Sequence, residues 1–343
     1  MSITKRLDNI ALIKTLMMIA VVLGHSLVFF GGTWFTVIEP SHIEEWMKGI
    51  ASWMNTFHIQ AFTMASGFLF YYLKKEKNRY NNPKKDIKKR AARLLVPYIF
   101  ACALWAIPVD CFFGYKSSFG ELVYRYLFMA DPSQMWFLIM LFLVFCFFEF
   151  FSDRIKISLK NLIIVFLITT VVSRITFLLH IDVFQIPKTL QFILYFYFGG
   201  FVYSHKNKIT GKQTLIMVMI AGLLYLGSLF ADSSGVDILK IAKLAVAPII
   251  SVLEIGSIYY ICTRLISKKK INLKSKFYNL LEDNGFGIYI FHMQILFFAI
   301  AIFNGVVPPI VQVAITFLIS LFGAVVMSWV LKKWKVTRWM FGL

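Results

Sequence analysis

Three histidines stand inside apolar stretches of this chain, where an ionisable side chain is costly and by default functional. His25 follows Gly24 in Leu23-Gly24-His25-Ser26, His58 lies in Phe57-His58-Ile59-Gln60, and His292 lies in Ile290-Phe291-His292-Met293. An imidazole titrates near neutrality, so each could act as a general base on a hydroxyl. Each could equally be a polar packing group that bonds a carbonyl of a neighbouring helix. A second set is cationic. Arg90 and Arg93 are three residues apart, hence on one helical face. Guanidinium forks suit a phosphate-rich ligand, whereas the surrounding lysines (Lys74, Lys75, Lys84, Lys85, Lys88) suit anionic lipid headgroups. Lys14 precedes His25 by eleven residues, three helical turns below it on nearly the same face.

Other chemistries find less support. Asp8 caps the start of the helix that carries Lys14 and His25, too far along it to orient the imidazole. Asp110 and Glu254 are better placed by depth to serve as a carboxylate partner of His25. Ser66-Gly67 lacks the G-x-S-x-G elbow of a serine nucleophile. The cysteines (Cys102, Cys111, Cys146, Cys262) show no C-x-x-C spacing, and no His-Glu-x-x-His or other ligand pattern appears, so no metal is expected. Trp136, in Met135-Trp136-Phe137-Leu138, reads as an interfacial tryptophan or as a substrate contact.

These groups must be held by a membrane-embedded helical bundle. Of 343 residues, 59% are hydrophobic and 15% charged, against about 25% charged in a soluble domain. That composition excludes a disordered chain and a cytosolic enzyme. Ten apolar runs approach the roughly 20 residues that cross a bilayer as a helix: 10–30, 53–73, 94–113, 135–151, 162–180, 189–204, 214–231, 241–262, 285–303 and 309–330. With the N-terminus inside, 28 of the 36 Lys and Arg fall on the cytoplasmic side and 5 outside, the other three being Lys14, Arg174 and Lys243 within spans. The expected architecture is an all-α polytopic membrane protein of about ten spans, both termini cytoplasmic. The same asymmetry accounts for the net charge of +19 without nucleic acid.

Lys5 and Arg6 before the first span imitate a signal peptide, but the span is too long and lacks an A-x-A site. No segment between spans is long enough for a soluble catalytic domain, so residues 1–343 read as a single membrane domain. In this layout His25 and His58 lie at similar depth in the outer half. His292, about 10 Å from the inner end of its span, lies on a different level.

Taken together, these landmarks resemble acyltransferase family 3, the integral membrane acyltransferases, and especially its polysaccharide O-acetyltransferases. The matching pieces are Asp8-Asn9, Lys14, Val21 to Ser26, Phe57-His58, Ser66-Gly67-Phe68, Arg90-x-x-Arg93, Pro97-Tyr98, Trp136-Phe137-Leu138 and Gly287-Ile288-Tyr289 with His292, in order along nearly the whole chain. The resemblance implies that His25 is catalytic, with His58 assisting. It implies that Arg90, Arg93 and Lys14, a lysine where the family often has arginine, bind the acyl-CoA donor. Trp136 and His292 are then expected at the substrate. Acetyl-CoA is the expected donor, with no permanently bound cofactor. The expected acceptor is a hydroxyl of a bacterial surface polysaccharide or its lipid-linked precursor (capsule, O-antigen or exopolysaccharide), reached at the plasma membrane. His25 would either deprotonate that hydroxyl or carry the acetyl group itself. Many relatives append an extracytoplasmic esterase-like domain. None follows span ten here, so transfer is expected within this bundle or through a separate protein. The rival from another class is a transporter or flippase with polar residues along a path, but the chain shows no repeat of broken spans.

Overall fold

The computed structural model describes residues 7–32, 37–114, 118–206, 210–233 and 236–343. Lys5 and Arg6 lie outside them. The described residues contain helices and no strand. In chain order the helices are α1 (Asp8–Val28), α2 (Glu45–Met54), α3 (His58–Lys77), α4 (Pro83–Ala101), α5 (Ile107–Phe112), α6 (Phe119–Leu122), α7 (Trp136–Phe151), α8 (Leu159–Leu178), α9 (Ile186–Ser204), α10 (Gly211–Ser233), α11 (Asp237–Ser267), α12 (Lys276–Asp283), α13 (Gly285–Phe303), α14 (Pro309–Leu331) and α15 (Lys335–Phe341).

Among the described residues, seven stretches are long and apolar enough to cross a membrane: Asp8–Gly31, Pro83–Phe112, Ser133–Phe151, Leu159–Leu178, Gly211–Asp232, Gly285–Phe303 and Pro309–Leu331. The three other expected spans fold as α3, α9 and α11. The protein is thus a multi-pass membrane protein. Its apolar residues point both ways, as a bilayer requires. Ile163, Leu167 and Ile168 of α8 and Leu215, Met219 and Leu223 of α10 are exposed, forming the outward apolar surface.

Local chemistry sets several boundaries. The side chain of Asn82 accepts from the Lys85 amide (3.1 Å) and Pro83 occupies the first helical position, so α4 opens as its sequence predicts. It runs through Pro97 and widens into a π turn at Cys102–Ala106 before continuing as α5. Leu7, rather than Asp8, is the capping residue of α1; Asp8 lies in the first turn, where a carboxylate meets the positive end of the helix dipole. The expected span 53–73 is broken. The Thr56 amide donates to the Trp53 carbonyl (3.0 Å) and Gln60 Nε2 donates to the Asn55 carbonyl (3.0 Å), closing α2 and restarting the chain as α3 at His58.

α1 is central, touching α2, α3, α11, α13 and α14. Two hairpins, α10–α11 and α13–α14, pack beside it. Where the first hairpin turns, Lys243, one of the three cations expected within spans, pairs with Asp232. α3 and α9 pack with their backbones in close approach. A Cβ at Gly67 would fall 2.0 Å from the Phe196 carbonyl oxygen, and one at Gly199 would fall 2.1 Å from that of Met64. Both glycines are needed because the backbones touch. Gly67→Val should therefore cost about 1–3 kcal/mol, lowering the melting midpoint in detergent by about 1–4 °C. Gly222→Ala, whose Cβ would meet nothing within 4 Å, should leave that midpoint unlowered.

Candidate active site

A cavity of about 1140 Å³ runs through the bundle, walled by α1, α3, α4, α7 and α13. The apolar stripe of α1 that faces it carries Lys14, Met18, Val21 and His25, so one helical face presents both the cation and the imidazole, as the eleven-residue spacing requires.

One end of the cavity is cationic. Lys14, Arg79, Arg90, Arg93 and Lys332 line it, with Glu282 and Asp283. Among the described residues, no carboxylate lies within 4.0 Å of the charged groups of Lys14, Arg79, Arg90 or Arg93. Arg90 is held from behind. It donates to the Tyr80 hydroxyl, and its guanidinium carbon sits 3.7 Å from the centre of the Phe145 ring. Burial holds the Tyr80 phenol above its ordinary pKa, so it remains a neutral acceptor beside the guanidinium. Lys332 donates to the Asp283 carbonyl (2.7 Å) and to Asn284 Oδ1 (2.9 Å). Burial lowers its pKa below the usual lysine value, an effect that the Asp283 charge opposes.

The other end is polar but largely compensated. Asp110 is buried and accepts from the Tyr126 hydroxyl; Arg125 approaches it to 4.0 Å and Asp131 to 3.6 Å. Lys188 lies 4.3 Å above the Trp136 ring, and both residues line the cavity. Gln134 and Gln294 form a reciprocal amide pair (2.7 and 3.2 Å), and Tyr289 donates to the Gln134 carbonyl (2.6 Å). The segment before α7 is thereby tied into the bundle. Reading it as an outer loop missed Arg125, Asp131, Ser133 and Gln134. Its density of aromatic and paired charged residues (Tyr124 to Gln134) was the available signal.

Between the two ends stand His25 and His292, with ring centroids 5.3 Å apart. The expectation that His292 lies on a different level from His25 is incorrect. Gly285, Phe286 and Gly287 themselves line the cavity and Asn284 is buried, so α13 starts inside the bundle. Depth counted from its first residue is therefore too shallow. His58 is the first residue of α3, 2% exposed, packed against Phe57, and is not among the residues that line the cavity. The break at Asn55 and Thr56 puts it there. Of the two carboxylates expected to serve His25, Asp110 engages Tyr126 and Arg125. Glu254 accepts from Trp53 Nε1 (2.9 Å) and Thr56 Oγ1. Arg90, Arg93, Lys14, Trp136, His25 and His292 all share the one cavity.

Such a site offers fixed positive charge at one end, a nitrogen base at the middle and hydrogen-bonding groups at the other end. Among the described residues, no cluster of His, Cys, Asp or Glu could hold a metal ion. No curated protein and no solved structure matches the chain. A protein-family model described as an acyltransferase domain, that of acyltransferase family 3, matches residues 7–329. That match takes in every helix from α1 to α13 and nearly all of α14, the cavity walls included, and the chain belongs to acyltransferase family 3.

Proposed function

We propose that this membrane acyltransferase moves an acetyl group from cytoplasmic acetyl-CoA to a hydroxyl of a cell-surface polysaccharide or its lipid-linked precursor. The observation that carries this reading is the single cavity that joins uncompensated cations to the His25 imidazole. In the proposed layout ten helices cross the bacterial plasma membrane and both termini are cytoplasmic. The cationic end then opens to the cytoplasm. An anion is what unpaired guanidinium and ammonium groups in a low-dielectric wall select, and a coenzyme A phosphate is such an anion. Lys14 and His25 are about 16 Å apart along α1 at 1.5 Å per residue, a gap for the extended pantetheine arm to bridge.

At His25 the acceptor oxygen attacks the thioester carbonyl carbon while the imidazole takes the hydroxyl proton. The carbon–sulfur bond breaks, and the imidazolium returns the proton to the departing thiolate. A cavity that reaches both ends lets donor and acceptor meet at one imidazole, which favours direct transfer over an acetyl-histidine carrier. The compensated polar end, with Trp136, Gln134 and Arg125, suits a hydroxyl-rich acceptor more than a highly charged one.

His25→Ala should abolish acetyl incorporation into the surface glycan, read by mass spectrometry, with protein abundance unchanged. Retained acetylation removes His25 from the mechanism. Arg93→Ala should raise KM for acetyl-CoA about tenfold or more, the value of a charge-assisted hydrogen bond, with a smaller change in kcat. An unchanged KM would show that the donor binds elsewhere.

A further inference from the structure

The protonation site of His292 is set by the backbone of its own helix. Its Nδ1 lies 2.8 Å from the Ile288 carbonyl oxygen and 2.9 Å from that of Tyr289. A carbonyl only accepts, so in the neutral ring Nδ1 carries the hydrogen and Nε2 carries a lone pair. That Nε2 is buried and has no hydrogen-bond partner among the described residues. Buried acceptors left in this condition are rare in folded proteins and call for an explanation. The ring is fully buried among protein atoms and borders the cavity. Its backbone is pinned as well, since Ser320 Oγ of α14 donates to the His292 carbonyl (2.6 Å).

The His25 ring stands 5.3 Å away, tilted by 37°. The terminal torsion of a histidine is broad, and a centroid separation of 5.3 Å leaves room for one nitrogen of each ring to meet at about 3 Å, hydrogen-bond distance, when both lie on the line between the rings. We infer that His292 is the positioning partner of His25, its Nε2 accepting the N–H of the His25 imidazole during transfer. This inference rests on the proposed acetyl transfer. As the acceptor O–H bond breaks, its proton moves to one nitrogen of His25. The N–H on the other nitrogen donates to Nε2 of His292, which orients the ring and spreads the imidazolium charge. The proton then leaves with the thiolate, and both imidazoles are again neutral. A carboxylate ordinarily fills this place in a nucleophile–base–orienter chain. A neutral imidazole does the same orienting without a buried negative charge in the wall of an apolar bundle.

Two variants in purified, detergent-solubilised protein test the assignment. His292→Phe keeps a ring and removes the lone pair; His292→Gln supplies an amide oxygen as acceptor. His292→Phe should lower kcat about 100-fold, the scale of an impaired general base, while KM for acetyl-CoA stays within about twofold. His292→Gln should recover at least about tenfold of that loss. Wild-type turnover in His292→Phe overturns the assignment, as do equal losses in the two variants accompanied by equally lowered melting midpoints. Wild-type protein that transfers no acetyl group from acetyl-CoA overturns the underlying reading, a result distinguishable from active wild type with an unaffected His292→Phe.

Discussion

Positive charge gathered at one end of a cavity, with no carboxylate in direct contact with it among the described residues, is the constraint around which this molecule is arranged. An ammonium or guanidinium group removed from water loses far more solvation than a helix dipole or a neutral hydroxyl returns. Lys14 and Arg90, both partly buried, nevertheless share one cavity end with the exposed Arg79 and Arg93, with no carboxylate at contact distance among the described residues. Two features make that tolerable. The groups border open volume rather than packed side chains. Arg90, in addition, is backed by the Phe145 ring and the Tyr80 hydroxyl, neither of which neutralises it. The protein keeps its field and aims it into the cavity. A structural ion pair would have been simpler to build, and the absence of one is what points the cationic end towards an anionic ligand.

The opposite end handles charge in the reverse way. Arg125 is flanked by Asp110 and Asp131, and Lys188 lies over an aromatic face. Its polar groups are mostly spent on one another, leaving hydrogen-bonding edges with little net field. A single cavity therefore presents two electrostatic environments, a sharply positive one and a nearly balanced one, with a histidine pair between them. Two ligands of different charge meeting at one base is the arrangement that this asymmetry supports. A conduit that passed one solute from end to end would have little use for it.

The helix-periodic features were legible in sequence because they depend on a single helix. The shared face of Lys14 and His25 follows from eleven residues at 3.6 per turn. The start of α4 follows from Asn82-Pro83, and the extent of α13 and α14 from their apolar runs. What depended on two or more elements was not legible. Hydropathy carries His58 well into a continuous span, whereas hydrogen bonds at Asn55 and Thr56 end one helix and begin the next at that residue. His292 was assigned a depth by counting from a surface that α13 does not reach, since Lys332 and Ser328 of the α14 end hold Asn284 inside the bundle. Arg125 was invisible as a site residue because only the fold turns the stretch before α7 inward.

A cavity of this size would be an unstable feature of an apolar bundle unless its walls resisted collapse. The walls are held by satisfied polar ties: the Gln134–Gln294 amide pair, Tyr289 on the Gln134 carbonyl, Ser320 on the His292 carbonyl, and the Ser328–Asn284–Lys332 node. On the far side α3 and α9 meet backbone to backbone at Gly67 and Gly199, giving α3 a rigid support. Each tie uses up the donors and acceptors it engages, so those groups explain themselves as framework. Other buried polar atoms stay outside these ties, among them the Gln312 amide of α14, the Tyr71 hydroxyl of α3 and Nε2 of His292. Among these atoms, His292 Nε2 belongs to a ring that borders the cavity and stands beside a second imidazole, which is the position the inferred positioning role requires.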